Sequence, residues 1–134
     1  MKDNNCIFCK IVNGDIPAAT IYEDQSFKVI LDLAPASRGH ALILPKNHYA
    51  NIYELDEETT KNAFALAKKL SEKMTKALGC DGFNIVQNNG TAAGQTVFHF
   101  HIHLIPRYEK DDANFGWQTH EITEDELESI VKLM

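Results

Sequence analysis

Between Leu55 and Leu78 the apolar residues Ala63, Leu66, Ala67, Leu70, Met74, Ala77 and Leu78 recur at helical spacing among charged positions. The pattern predicts one long amphipathic helix. Asp56 suits its N-cap, Glu57 and Glu58 suit the positive end of its dipole, and Gly79 can end it in a left-handed turn. Shorter apolar runs flank it. Ile7 to Val12 reads as a short helical turn closed by Asn13-Gly14. Thr20 to Glu23 and Phe27 to Leu33 read as strands parted by Asp24-Gln25-Ser26, and Ala41 to Leu44 as a buried strand stopped by Pro45. Phe83 to Asn88 and Val97 to Ile105 supply two more strands, the second ending at Pro106. Thr123 with Glu126 is a capping-box signal for a last helix carrying Leu127, Ile130 and Val131.

Strands and helices do not alternate as a parallel βαβ sheet requires. The expected class is α+β: a five-stranded antiparallel sheet with helices packed on one side, the first strand pair and the pair flanking Asn89-Gly90 forming hairpins. No repeat or linker divides the 134 residues, so one domain spanning 1–134 is expected.

Composition narrows the field. With 44% hydrophobic residues the chain can build a core, which argues against disorder. A net charge of −6 argues against coating a nucleic-acid polymer. No apolar run of about 18 residues and no signal-peptide pattern is present, so no membrane association and a cytoplasmic location are expected. Three cysteines do not suggest a disulfide framework; Cys80, behind Gly79, reads as a small apolar residue. Cys6 and Cys9 form a C-x-x-C that fits a redox pair, half of a metal site or coincidence, and the βαβ context of a redox pair is missing.

The chemistry concentrates in His99-Phe100-His101-Ile102-His103-Leu104-Ile105. On a strand, alternation puts the three histidines on one face and Phe98, Phe100, Ile102 and Leu104 on the other, which must be core. Imidazole changes charge near neutral pH, so such a row suits proton transfer, nucleophilic attack or metal binding. The preceding loop, Asn88 to Thr96, offers amide, hydroxyl and glycine-exposed backbone donors. From Ala77 to Pro106 the only charged residue besides histidine is Asp81, so a phosphate held here meets neutral donors and no Lys or Arg clamp. Neither a P-loop nor a dinucleotide-binding glycine motif occurs.

His99 to Ile105 matches His-φ-His-φ-His-φ-φ, with φ apolar, at every position. Together with Cys6 to Ile11, Gly14 to Ala18, Asp32 eight residues before His40, Leu44-Pro45-Lys46 and Gly94 to Val97, this resembles the histidine triad (HIT) family, in particular its bacterial Hint-like nucleotide hydrolases and transferases. The resemblance covers roughly residues 6 to 108. It implies a HIT-like α+β fold, a homodimer whose sheets join, and hydrolysis or transfer at the α-phosphate of a purine nucleotide conjugate.

By the same resemblance His101 corresponds to the nucleophile, His103 to a phosphate contact and His40 to a supporting active-site position. Gln95 and Thr96 fall where the family places donors to phosphate and leaving group, Asn88 where it contacts the phosphate side, and Asp32 where it holds the ribose hydroxyls. Phe8, Ile11, Ile30 and Leu33 fall at the nucleobase pocket. Cys6, Cys9, His48 and His99 correspond to a structural zinc site carried by some bacterial relatives, with no metal required for the chemistry itself.

Thr96 stands where the phosphoramidase branch commonly has serine, and Gln95-Thr96-Val97 and His103 to Arg107 resemble the dinucleoside-polyphosphate branch. Hydrolysis of nucleoside phosphoramidates leads, and dinucleoside polyphosphate hydrolysis is the nearest alternative. A zinc-dependent hydrolase using the three strand histidines and a non-catalytic nucleotide-binding scaffold are two further classes. His120, near Trp117, reads as a surface residue.

Overall fold

The structure, a computed structural model, describes residues 2–134. Helix α1 (Ile7–Asn13) precedes strands β1 (Thr20–Glu23), β2 (Phe27–Leu31) and β3 (Ala41–Pro45). Helix α2 (Glu57–Leu78), strands β4 (Gly82–Val86) and β5 (Ile102–Arg107) and helix α3 (Glu124–Leu133) follow. The strands form one sheet in the order β1-β2-β3-β5-β4. Every neighbouring pair is antiparallel, including both expected hairpin pairs.

The start of α2 forms as its sequence dictates: the Asp56 carboxylate accepts the Thr59 N–H. At the other end Gly79, at φ 64°, brings its N–H to the Thr75 carbonyl. Its apolar stripe meets the sheet in a core of Phe27, Val29, Ala41, Ile43, Phe100, Ile102 and Leu104.

The helices do not share one side of the sheet, as the pattern suggested. Helix α1 lies on the opposite face, where Phe8, Ile11 and Val12 pack with Ile30, Leu42 and Leu44. Strand β3 shows why: Ala41 and Ile43 belong to the first core, Leu42 and Leu44 to the second. A strand apolar on both faces must be covered on both.

Two strands are shorter than their apolar runs. Strand β2 ends at Leu31, and Leu33 beyond it is 96% exposed. The run from Val97 stays outside the ladder until Ile102, because β3 pairs with β5 only through Ala41↔Leu104, Leu42↔His103 and Ile43↔Ile102. Further back, the Phe100 N–H donates to the Tyr49 carbonyl beyond the end of β3. The alternation of side chains nonetheless persists: Phe100 enters the α2 core while His99 and His101 contact Phe8 of α1. Phe98, expected in the core, is 47% exposed, since the chain has left the sheet by then.

Helix α3 has the complete Thr123–Glu126 capping box, and its residues are exposed, as are Trp117 and His120. Among the described residues no helix is long and apolar enough to cross a membrane.

The turn into β3 depends on Gly39, at φ +91°, where an added Cβ would come 2.5 Å from Leu78 Cδ1 and 3.4 Å from Pro106 Cγ. Gly39→Ala is expected to destabilise the fold by about 1–3 kcal/mol through backbone strain and crowding. Urea denaturation would register this as a lower midpoint at unchanged slope.

Candidate functional site

On the α1 face of the sheet lies a cavity of about 670 Å³, within the size range of small-ligand sites. Its apolar wall includes Phe8, Ile11, Ile16, Ile30, Leu42 and Val97, and its polar end Asp32, Thr96, His101 and His103. Among the described residues no lysine or arginine lines it.

Backbone partners fix the proton positions on three of the histidines. A carbonyl can only accept and a main-chain N–H can only donate, so each identifies the ring nitrogen that faces it. His101 Nδ1 lies 2.6 Å from the His99 carbonyl, so it carries the proton. His101 Nε2 therefore has the free lone pair, on a ring that lines the cavity. His40 Nδ1 accepts the Ala36 N–H at 2.9 Å, which leaves the proton on Nε2. His40 Nε2–H then donates to His103 Nδ1 at 2.9 Å, leaving the His103 proton on Nε2 as a donor. His99 Nε2–H donates to the Pro45 carbonyl at 2.9 Å, leaving Nδ1 as its lone-pair nitrogen.

Burial keeps these rings neutral at pH 7. It lowers His40 and His101, and pushes His99 down to about 4. His103 is likewise pushed to about 4 by burial and by the neighbouring His101 and His40, against the opposing pull of Asp32. Folded His103 thus stays neutral between its ordinary 6.5 and about 4, while the unfolded chain takes up a proton. The contribution of His103 to stability is accordingly constant above about pH 7 and falls as pH drops through that window. His103→Gln is expected to reduce this acid sensitivity by on the order of 1–2 kcal/mol between pH 6.5 and 4, read from urea midpoints across the range.

The loop before the histidines is tied down by Gln95. Its side-chain oxygen accepts the Gly90 N–H, and its amide nitrogen donates to the Ala50 and Val97 carbonyls. Both amide hydrogens are used, so Gln95 shapes the loop and does not point a donor into the cavity. Asn88 stands at the start of this loop, outside the cavity wall, and Leu33 lies at the rim with most of its surface in solvent.

A second cluster lies behind Phe8. Cys6 Sγ and Cys9 Sγ are 3.5 and 3.6 Å from His99 Nδ1, and Cys9 Sγ is 3.3 Å from His48 Nδ1. All four ligand atoms fall within 4.8 Å of one another. Tetrahedral zinc, with bonds of about 2.3 Å to sulfur and about 2.05 Å to nitrogen, would place sulfur and nitrogen about 3.6 Å apart. The His99 tautomer also presents a lone pair to the cysteines, and the Pro45 carbonyl is the kind of outer partner that orients a ligating imidazole. Burial pushes the Cys9 thiol up, a cost that a cation between the sulfurs would reverse. The donor set fits zinc.

Asp32, His40 and His103 also converge, with His40 Nε2 3.7 Å from an Asp32 oxygen. There the fit fails: a metal on His40 Nε2 would require the proton on Nδ1, where the Ala36 N–H already points. Nor do the three histidines of the triad converge, since His99 Nδ1 faces the cysteines and His103 Nδ1 faces His40. A catalytic metal held by all three, one expectation from sequence, is not supported by this arrangement.

The backbone partners Ala36, Pro45, Tyr49 and Ala50 have no sequence signal, because any residue supplies an N–H or a carbonyl. Ile16, Pro17 and Ala18, also in the cavity wall, lie within the Gly14 to Ala18 segment already noted for its resemblance.

An antiparallel sheet presenting paired histidines at the polar end of an apolar cavity defines a class of small α+β proteins with an imidazole-lined ligand site. The chain belongs to the HIT family: the profile described as HIT domain matches residues 13–110. It is 46% identical over 118 residues to "Protein hit" of Bacillus subtilis, covering 87% of this chain and 81% of that protein. Adenosine 5'-monophosphoramidase hnt1 of Schizosaccharomyces pombe is 42% identical, with 94% and 92% of the two chains covered. A solved zinc-bound histidine triad family protein from Mycobacterium smegmatis superposes with a TM-score of 0.79 at 41% identity, covering 87% of this chain and 84% of that one.

Proposed function

We propose that the protein is a hydrolase that cleaves at the α-phosphate of nucleoside phosphoramidates or related adenylate conjugates through a nucleotidyl-His101 intermediate. The observation that carries this reading is the single hydrogen bond from His101 Nδ1–H to the His99 carbonyl, which leaves a neutral nucleophile facing the cavity. The relationship to the fission yeast monophosphoramidase supports the same class of substrate.

The base packs between Phe8, Ile11 and Ile30, and Asp32 accepts the ribose hydroxyls at the polar end. His101 Nε2 attacks phosphorus; the phosphorus–Nε2 bond forms as the bond to the leaving nitrogen breaks, and that nitrogen takes one proton from solvent and leaves as the amine, a proton that the water of the second step gives back. The Nδ1–H stays bonded to the His99 carbonyl, which stabilises the cationic ring of the adduct. Water then displaces Nε2 and releases nucleoside monophosphate, so one difficult displacement becomes two. His103 Nε2–H, its tautomer set by His40, donates to a phosphate oxygen, and the Thr96 hydroxyl supplies a second donor. Gln95 acts as a positioning residue for this loop. Cys6, Cys9, His48 and His99 would hold zinc, which would cross-link α1 to the segments that follow β3 and precede β5 and would take no part in bond making.

The wall without lysine or arginine favours a leaving group with little negative charge, hence an amine over a second nucleotide joined by further phosphates. In side-by-side assays, adenosine 5'-phosphoramidate is expected to give a kcat/KM at least about tenfold above that of diadenosine polyphosphates, a difference of about 1.4 kcal/mol in transition-state binding. The reverse order would reassign the substrate, and absence of turnover on both would leave a nucleotide-binding scaffold.

A further inference from the structure

We infer that the Cys6/Cys9/His48/His99 centre fixes the tautomer and aim of His101, so that metal occupancy controls the reactive nitrogen as well as the stability of the fold. This rests on the reading of that centre as a metal site and of His101 as the nucleophile.

One residue connects the two sites. The buried His99 ring presents Nδ1 to the cysteines and Nε2–H to the Pro45 carbonyl, while its own carbonyl receives the proton of His101 Nδ1 at 2.6 Å. The clamp on the His99 ring and the Phe100 N–H bond to the Tyr49 carbonyl, in the same peptide unit as the His99 carbonyl, together place the one acceptor that selects the His101 tautomer. A second connection runs through Phe8, between the two cysteines on α1. Its ring meets His99 edge-on at 5.9 Å and His101 at 5.0 Å, and it lines the cavity as well. Cys6 is also the N-cap of α1, its sulfur accepting the Cys9 N–H, so the start of this helix is held through the same centre.

With a cation among the four donors, His99 and Phe8 are held on both sides. Without it, each sulfur keeps only weak hydrogen bonds, and His99 with its carbonyl is held only by the Pro45 carbonyl and the Phe100–Tyr49 bond, so the acceptor of His101 gains freedom to shift. The ring can then carry its proton on Nε2, and in that form the lone pair no longer faces the cavity. His99 and Phe8 are thus positioning residues for the reaction. The orientation of His99 affects turnover, and that of Phe8 affects nucleotide affinity.

The test uses full-length protein with 15N-labelled histidine, stripped of metal by a chelator and titrated with zinc. Ring-nitrogen shifts report the His101 tautomer, rapid-mixing single turnovers with adenosine 5'-phosphoramidate report the chemical step, and calorimetry with AMP reports affinity. The expected result is a single Nδ1–H tautomer with zinc and a mixture without it. The single-turnover rate should fall about tenfold or more and AMP affinity a few-fold, with all three restored by one equivalent of zinc per chain. A metal-free protein that is folded by circular dichroism, yet retains the Nδ1–H tautomer and a rate within twofold, would overturn the inference, as would failure to bind zinc stoichiometrically.

Should stripping unfold the chain, His48→Gln removes one donor and leaves Cys6, Cys9 and His99 in place. In that variant tautomer and rate must titrate with zinc at a common midpoint, and a tautomer indifferent to zinc sinks the idea. Failure of the nucleophile assignment would look different: His101→Ala would keep its activity, whereas failure of the coupling leaves that variant inactive and the His101 shifts of the parent independent of zinc.

Discussion

Replacing His101 with alanine is expected to lower kcat on an adenosine phosphoramidate by at least about 10⁴-fold, as loss of a covalent nucleophile does. AMP affinity should change by less than about tenfold, because the base and ribose contacts assigned to Phe8, Ile11, Ile30 and Asp32 remain. The ring is almost fully buried beside Phe8 and His103, so some stability is lost as well, and activity must be scored per folded protein. Rapid mixing of the parent protein with an alkaline quench, in which phosphorus–imidazole bonds persist, should trap one nucleotide per chain. The His101→Ala variant should trap none. Turnover above about 1% of the parent in that variant would remove the covalent mechanism.

Removing the metal is expected to have the largest effect on stability. Ligand bound only to the folded state stabilises it by RT ln(1 + [L]/Kd), about 4 kcal/mol when free zinc exceeds its dissociation constant a thousandfold. For a chain of this length that amounts to a fall of roughly 12–20 °C in Tm on chelation. Cys9→Ser should reproduce most of the loss and make the protein insensitive to chelator, since Cys9 touches both His48 and His99. Cys80→Ser, just beyond the end of α2 where the thiol meets Thr75, should retain the parent Tm and the parent response to chelator. Equal Tm with and without chelator in the parent protein would remove the zinc assignment.

Much of the fold was legible because local rules and tertiary needs agree in it. The stripe of α2, its Asp56 cap and its Gly79 end, the strand pairs and the Thr123–Glu126 box each follow from residues close in sequence. The errors arose where distant segments decide. The chain before Ile102 has the alternation of a strand, yet the ladder stops because β3 ends at Pro45 and the chain there takes other partners. Both faces of β3 are apolar in sequence and need cover, but only the folded chain shows that α1 supplies it on the face opposite α2. The resemblance puts Gln95 at a phosphate-donor position; the bonds of its side-chain amide to the Ala50 and Val97 carbonyls, which local sequence does not show, are set by where those carbonyls lie.

The sequence by itself determined which side chains are available to this protein: histidines on alternate positions, two cysteines one helical turn apart, a carboxylate among apolar residues, and no lysine or arginine between Ala77 and Pro106. The tertiary structure alone decided what each histidine is. Identical imidazoles become a cysteine-facing acceptor at His99, a cavity-facing lone pair at His101 and an N–H donor at His103. The reason is physical: a ring nitrogen takes its role from the group opposite it, and those groups are main-chain carbonyls or, at His103, a second imidazole whose own tautomer a main-chain N–H sets.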